Sequence, residues 1–216
     1  MERPDDEPTA AAGHGSVGAY ARRLPDVASN LWLASPGSYS IAKSGLKARQ
    51  KRRFARTTDS VHAFAVAPNL LAQCFDATRP NQKWGSDITY VWTRQGWLYL
   101  AVVIDLFARR VIGWAGSDRL HAHLAQSALD TAITMRGATP GLIHHSDRGS
   151  QYCANAYQAR LRACGITISM SGKGNAYDNA MVESFFKTLK TEMIWRTRFE
   201  TRSQAASAIA RYIDHF

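Results

Sequence analysis

Three carboxylates, Asp87, Asp147 and Glu183, lie in stretches of sequence that could bring them together for chemistry at a phosphate. Asp87 opens a run of β-branched and aromatic residues, Asp147 follows a short apolar run, and Glu183 lies in a helical pattern with thirty-five residues between it and Asp147. Three carboxylates on separate elements can hold two magnesium ions, because Mg²⁺ prefers oxygen ligands. Two ions held in this way can support cleavage and joining of a phosphodiester backbone.

Each carboxylate also has an ordinary structural explanation. Asp87 could be a strand-edge residue facing solvent, although a carboxylate in an apolar strand is costly unless it is paired or bound to metal. Asp147 could cap the next helix, yet the carboxyl end of a strand is also where α/β sheets place their sites. Glu183 could form a surface ion pair with Lys187, worth roughly a few tenths of a kcal/mol. The Glu183 helix, taken alone, favours the ion pair.

The surrounding pattern predicts the elements that must position these side chains. Five strands are predicted, over residues 87–93, 97–107, 110–114, 142–145 and 166–170. Four helices are predicted, over residues 121–135, 151–163, about 178–194, and from about 202 to the C-terminus. This order predicts an α/β fold with a mixed five-stranded sheet flanked by helices, and the nearly all-apolar second strand is expected in its interior.

The predicted Glu183 helix has two different sides. One side is apolar and is formed by Val182, Phe185, Phe186, Leu189 and Met193. The other side carries Asn179, Glu183, Lys187 and Lys190 at helical spacing. A carboxylate with lysines one and two turns away is expected where a metal meets a phosphate.

Positive charge is concentrated in one part of the chain. The 216 residues carry a formal net charge of +10, which divides into −1 over residues 1–43, +6 over 44–83 and +5 over 84–216. The densest run contains no acid and consists of Lys47, Arg49, Lys51, Arg52, Arg53 and Arg56. Such a run can displace counterions from phosphates, so it predicts sequence-independent nucleic-acid contact, with a solvated linker as the alternative.

Composition divides the chain into three segments. Residues 1–43 are rich in Ala, Gly, Ser and Pro and are expected to be poorly ordered, apart from a short helix around 19–28. Residues 44–83 form a basic connector with an extended piece at 66–71, and residues 84–216 form the core. The three cysteines have no CxxC spacing, which disfavours a disulfide framework or a zinc site. Without a signal-like N-terminus or a membrane-length apolar run, we expect a cytoplasmic protein with no membrane contact.

Several longer motifs, in this order, resemble one known family. They are WGSDITY at 84–90, GWLYLAVVID at 96–105, HHSDRGSQY at 144–152, SMS at 169–171 and GNAYDNAMVESFFKTLK at 174–190. These stretches resemble the second-frame (orfB) transposases of bacterial insertion sequences, whose catalytic (DDE) core is shared with retroviral integrases. The resemblance runs from about Ser44 to the C-terminus.

The resemblance implies a fold, a reaction and a set of partners. The fold would be ribonuclease-H-like, and Asp87, Asp147 and Glu183 would be a catalytic triad that binds two Mg²⁺ or Mn²⁺ ions. The implied reaction is an in-line displacement at phosphorus that nicks the ends of an element and joins the freed 3′-hydroxyl to new DNA. The implied partners are double-stranded DNA (element ends and target), further copies of the chain on DNA, and an upstream first-frame protein.

Other polar residues receive secondary roles. Lys187, Lys190, Arg148 and Lys173 are candidate phosphate contacts, in addition to the basic run. His144 and His145 are expected to support the Asp147 strand rather than bind metal. Asp178 and Asn179 are expected to cap the Glu183 helix. Asp105 is a candidate partner of the site but not a ligand.

Two features depart from the family pattern. Residues 1–43 do not resemble the helix-turn-helix-like region that precedes the core in this family, and the chain ends at Phe216 before an expected Tyr-Asn and Arg-containing segment. The alternative function is therefore a catalytically inactive, truncated DNA-binding remnant of a transposase. A structure-selective nuclease of the same fold, which would cleave without joining, is a third candidate.

Overall fold

The computed structural model describes residues 64–173 and 175–215. Its five strands are β1 (Lys83–Thr93), β2 (Gly96–Asp105), β3 (Arg110–Ser117), β4 (Ile143–Ser146) and β5 (Thr167–Met170). They form one sheet in the order β3-β2-β1-β4-β5, in which β1 to β3 are antiparallel neighbours and β4 and β5 run parallel to β1. This mixed five-stranded sheet, with helices on both faces, confirms the predicted fold class.

Some sequence predictions fall outside the described residues. These are the poor order of residues 1–43, the short helix around 19–28 and the basic run Lys47, Arg49, Lys51, Arg52, Arg53 and Arg56. Within the described part, residues 66–71, where an extended piece is predicted, contain no regular secondary structure and contact β5. The Met170 amide donates to the Pro68 carbonyl (3.2 Å) and the Leu70 amide to Ser169 Oγ (2.9 Å).

The strands are longer or shorter than predicted where pairing decides their ends. β1 begins at Lys83 rather than at Asp87, because residues 83–85 pair with β4. β3 continues to Ser117, which pairs with Tyr99 of β2. β2 is an interior strand, as predicted, and its residues from Leu100 to Ile104 are buried on both faces.

In the part of the chain that the structure describes, five α-helices cover the two faces of the sheet. Those on the first face are α1 (Ala122–Arg136), α2 (Ser150–Cys153) and α3 (Asn155–Ala163), and those on the second are α4 (Ala180–Leu189) and α5 (Arg202–His215). The prediction of one helix over 151–163 is wrong, because Ala154 is extended (ψ 135°) and separates α2 from α3. The predicted helix over 178–194 combines a 3₁₀ turn (Ala176–Asn179), α4 and a π turn (Lys190–Ile194).

A separate apolar core lies on each side of the sheet. On the first face Trp84, Ala101 and Val103 pack against α1, α2 and α3, and on the second face Leu100, Val102 and the apolar side of α4 pack with α5. A β-strand places successive side chains on opposite faces, so both layers draw on the same strands. Within the described residues, no helix is long and apolar enough to cross a membrane.

Candidate carboxylate site

The sheet places Asp87 and Asp147 side by side. β1 and β4 are parallel neighbours, with Trp84 opposite His144 and Gly85 opposite His145. The same register, continued by two residues, puts Asp87 opposite Asp147, just beyond the last paired position. Neighbouring strands are about 4.8 Å apart, so the two carboxylates belong to one site.

Both carboxylates lie toward the second face of the sheet, where α4 packs. Asp87 is opposite Val102 of β2, and Val102 belongs to the core under α4 and α5. Directly opposed residues of an antiparallel pair share a face, so Asp87 also faces α4. Glu183 lies in the first turn of that helix, with an exposed side chain. Three elements, β1, β4 and α4, thus supply one carboxylate each.

Two contacts hold α4 close to β1 beside Asp87. A Cβ on Gly85 would come within 2.8 Å of Val182 Cγ2, so only glycine permits this approach of helix to strand. Asn179 is buried at the start of α4, and its Nδ2 donates to the Ser86 carbonyl (3.3 Å). The helix end that carries Glu183 is therefore fixed to the residues immediately before Asp87.

The three carboxylates act on one another electrostatically. Burial raises the pKa of Asp87 well above its usual value, and the negative charges of Asp147 and Glu183 raise it further. Burial also raises the pKa of Glu183, with a second contribution from Asp147. Like charges that cannot be separated favour protonation of one of them or neutralisation by a cation.

Backbone amides orient the two aspartates. Asp87 Oδ1 accepts from the Ile88 amide (2.7 Å), and Asp147 Oδ1 accepts from the Gly149 amide (2.9 Å). In the described part of the chain, no three His, Cys, Asp or Glu side chains are grouped closely enough to hold one metal ion as they stand. A shared ion would therefore require side-chain movement, and the long, exposed Glu183 side chain has the most freedom to move.

His144 and His145 support the Asp147 strand through hydrogen bonds. His145 contacts Ser169 Oγ (2.8 Å) and Ser171 Oγ (3.2 Å), and His144 Nε2 contacts the Tyr157 hydroxyl (3.1 Å). Burial lowers the pKa of His144 to about 3 and that of His145 to about 4. Both imidazoles are consequently neutral at pH 7.

The candidate phosphate contacts differ in their relation to the site. The ammonium of Lys190 is near enough to lower the pKa of Asp87, against the larger effect of burial. Arg148 follows Asp147 directly in the chain, and its Nε donates to the Ser171 carbonyl (2.6 Å). Lys187 and Lys173 have exposed side chains, on α4 and on the loop after β5 respectively.

The structure corrects several sequence-based explanations. Asp87 is not a strand-edge residue that faces solvent, because its side chain is half-buried and it pairs with Val102 of β2, although β4 pairs with β1 only as far as Gly85. Asp147 accepts a hydrogen bond from the Gly149 amide but is not the N-cap residue of α2, since Gly149 holds that position. Within the described residues, Glu183 and Lys187 form no ion pair.

Three further residues have roles other than those predicted. Asn179 stands at the N-cap of α4, but its side chain bonds to β1 instead of to the helix. Asp178 accepts hydrogen bonds from the Gly172 amide and from the side-chain amides of Asn69 and Asn175, so it holds loops together rather than capping α4. Asp105 is opposite Trp84 on the first face, away from Asp87, so it is not a partner of the site.

The sequence analysis did not predict the contacts that hold the start of α4 against β1. Two residues could have indicated these contacts. Gly85 is a glycine inside a strand, and Asn179 is an amide side chain just before a helix. A glycine in a strand often marks a close approach of another backbone. Recognising their connection requires the contact between β1 and α4, which sequence spacing does not supply.

Comparison with protein families gives a consistent match. Two family models, both described as "Integrase core domain", match residues 77–176 and 164–216. Together they extend from just before β1 to the end of the chain and include all three carboxylates.

Curated relatives match over most of the chain. An "Insertion element IS600 uncharacterized 31 kDa protein" from Shigella sonnei is 48% identical over 171 residues, or 79% of this chain. "Transposase InsF for insertion sequence IS3A" from Escherichia coli (strain K12) is 47% identical over 175 residues, or 81% of this chain. The chain spans 63% and 61% of the lengths of these two relatives.

Solved structures give more distant matches. A simian T-cell lymphotropic virus intasome in complex with PP2A regulatory subunit B56 gamma is 22% identical, with a TM-score of 0.49, over 63% of this chain and 46% of that chain. The HTLV-2 integrase catalytic core domain in complex with magnesium (trimeric form) is 21% identical, with a TM-score of 0.46, over 54% of this chain and 71% of that chain. From the family models and the curated relatives, we conclude that the chain belongs to the insertion-sequence transposases that carry an integrase core domain.

Proposed function

We propose that this chain is the catalytic core of a DNA transposase, which cleaves phosphodiester bonds at the ends of an element and joins them to target DNA. One observation carries the proposal: β1, β4 and α4 each bring one carboxylate to a shared site, where the charge of Asp147 raises the pKa of both Asp87 and Glu183. A structural ion pair would stabilise the ionised carboxylates, whereas this arrangement destabilises them in the absence of a cation.

The donor set suits Mg²⁺ or Mn²⁺. Asp87, Asp147 and Glu183 offer only oxygen ligands, which hard divalent cations prefer. Their mutual repulsion is the electrostatic cost that a bound cation would remove. When bound, two such ions supply activation of the attacking oxygen and stabilisation of the leaving oxygen in phosphoryl transfer. We propose two ions, as the family resemblance implies.

The chain's own residues have separate tasks around these carboxylates. The amides of Ile88 and Gly149 orient Asp87 and Asp147, while Asn179 and Gly85 fix the position of the α4 end that carries Glu183. We assign Lys187, Lys190, Arg148 and Lys173 to contacts with DNA phosphates. Among these, the effect of Lys190 on Asp87 supports its placement next to the reacting phosphate.

The proposed partners follow from charge and family. The net charge of +6 over residues 44–83 supports binding to double-stranded DNA through Lys47, Arg49, Lys51, Arg52, Arg53 and Arg56. We also propose that the chain acts as a homo-oligomer on DNA and that an upstream first-frame protein assists it. We further propose that the protein acts in the cytoplasm.

Strand transfer in solution tests this function. The purified chain is incubated with Mg²⁺, labelled DNA that carries the inverted repeats flanking its reading frame, and target DNA. The expected result is nicked and joined product, which Asp147→Asn eliminates and the exposed-site control Asp118→Asn retains. DNA binding without product by the intact chain would instead support the inactive remnant, and cleavage without joining would support the structure-selective nuclease.

A further inference from the structure

An exposed group of aromatic rings lies on the hairpin that joins β1 to β2. It consists of Tyr90, Trp92 and Trp97 and is called here the aromatic face. Trp92 and Trp97 are opposite each other in the β1–β2 register, and their side chains are 58% and 41% exposed. Exposed large aromatic side chains in a cluster mark a surface for binding more often than isolated ones do.

The rings hold one another in place. The centroids of Trp92 and Trp97 are 4.8 Å apart with planes at 71°, and those of Tyr90 and Trp97 are 4.9 Å apart at 87°. Edge-to-face packing is the favourable geometry for such pairs. The cluster is therefore ordered before a ligand arrives, while much of the Trp92 ring system remains in contact with water.

The aromatic face meets the carboxylate site at the edge of β1 that β4 leaves unpaired. Tyr90 and Trp92 follow Asp87 by three and five residues, about 10 Å and about 17 Å along the strand, so their side chains start from the first face of the sheet while Asp87 lies on the second. The Lys190 ammonium lies 5.3 Å from the centre of the Tyr90 ring, and its charge also acts on Asp87. In the described residues, no strand pairs with the β4-side edge of β1 between Gly85 and Thr93.

The charges around the rings identify the kind of partner. Lys190 and Arg202 lie beside the aromatic face, and the Arg202 Nε donates to the Trp97 carbonyl (2.9 Å). The nearby acid Glu200 is paired with Arg94 (3.2 Å). A positive surface repels a second copy of itself, whereas a DNA strand offers both negative phosphates and flat bases. Stacking on aromatic side chains is the common way of holding unpaired bases without regard to sequence.

We propose that Trp92 and Trp97 stack with one or two unpaired bases of the DNA strand whose phosphate lies at the carboxylate site. The inference rests on the proposed function, since it assumes that this strand is the substrate. Bases a few nucleotides from the cleaved bond would thereby be held apart from their complement, and the end would be fixed in register with the three carboxylates.

Binding measurements without metal or turnover test the inference separately from the activity. The full chain is titrated with two fluorescent duplexes of the same length, one fully paired and one with three unpaired nucleotides at its end. Trp92→Ala and Trp97→Ala should each weaken binding of the unpaired-end duplex about tenfold and leave the paired duplex nearly unchanged. Trp92→Phe, which keeps a ring, should remain close to the native protein. Met135→Ala, at a 72% exposed site on α1, is the matched control.

A second readout uses the native chain and so does not depend on how the variants fold. With 5-iodouracil at an unpaired position, photo-crosslinks should map to Trp92 or Trp97. The inference is overturned if crosslinks map elsewhere, or if both alanine variants bind the two duplexes as the native protein does. It is also overturned if the alanine variants convert a dimer into a monomer with no change in base-dependent binding. Both readouts are made without metal, so loss of catalytic activity alone does not affect this result.

Discussion

At the scale of single residues, the position of Asp87 carries an energetic cost. Its carboxylate is partly buried in the middle strand, faces two other carboxylates and has a pKa well above the usual value. A folded state that binds the proton more tightly than the unfolded state becomes less stable as pH rises from the usual pKa toward the raised one. At neutral pH without a cation, ionised Asp87 therefore lowers the stability of the fold.

Replacing Asp87 by asparagine should therefore stabilise the metal-free protein. Asparagine keeps an oxygen for the Ile88 amide and removes the charge, so we expect the free energy of unfolding at pH 7 to rise by about 1 kcal/mol. Urea unfolding in the presence of a chelator measures this change. Addition of Mg²⁺ should raise the melting temperature of the native chain but not that of Asp87→Asn. A less stable Asp87→Asn in chelator would contradict the electrostatic account.

The neutral histidines under the site predict a pH dependence of the opposite sign. The pKa values are about 3 for His144 and about 4 for His145, below the usual 6.5. Between the lowered and the usual pKa of each histidine, the unfolded chain therefore binds more protons than the folded chain. Stability should fall as pH drops below 6.5, by up to about 1.4 kcal/mol per pH unit for each histidine. His145→Asn should make the measured slope between pH 6.5 and 5 shallower by about that amount. An unchanged slope would show that His145 is not buried in its neutral form.

At the scale of elements, the sequence predicts those strands and helices whose pattern of apolar residues is regular. Alternation in β1, the apolar run of β2 and the apolar side of α4 all appear in the structure. The break at Ala154 and the π turn after Leu189 were not predicted, since neither is marked by proline or glycine. The early start of β1 depends on pairing with β4, a strand sixty residues away, which local pattern does not contain.

The closeness of α4 to β1 gives a test of how Glu183 is positioned. Gly85→Ala would place a methyl group 2.8 Å from Val182 Cγ2, so we expect a loss of about 1–3 kcal/mol in the free energy of unfolding. In the background of Val182→Ala, which removes the opposing methyl group, the same substitution should cost clearly less. Gly116→Ala is the milder control, because its nearest neighbour is Leu98 Cδ1 at 3.3 Å. Equal losses from Gly85→Ala in both backgrounds would refute the steric explanation.

At the scale of the whole molecule, the candidate site depends on contacts between distant parts of the chain. The types of Asp87, Asp147 and Glu183, together with their motifs, indicate a site from sequence alone. Their arrangement on β1, β4 and α4 requires the parallel register of two strands and the packing of a helix across them. Sequence periodicity could not predict the aromatic face either. In an alternating strand, Trp92 looks like a core residue until the positions of the covering helices are known.

The charge distribution predicts how the whole chain binds DNA. If the six cations Lys47, Arg49, Lys51, Arg52, Arg53 and Arg56 contact phosphates, replacing all six by glutamine should reduce the dependence of log affinity on log salt by up to about 5. DNA titrations at salt concentrations from about 50 to about 200 mM, where such effects are large, measure this slope. A lysine-for-arginine exchange at Arg49, Arg52, Arg53 and Arg56 keeps the charge and serves as the control. An unchanged slope after the glutamine replacement would assign these residues to a solvated linker.

The central claim is that Asp87, Asp147 and Glu183 act as one metal-dependent site. The most direct test compares the rate of Mg²⁺-dependent DNA cleavage and joining for the native chain, for Asp87→Asn, Asp147→Asn and Glu183→Gln singly, and for the triple variant. Groups that act as a unit are not additive, so each single variant should lose about as much activity as the triple variant. Asp105→Asn, on the opposite face of the sheet, should retain activity. Product formation by any of the three single variants near the native rate, or none by the native chain, would contradict the account.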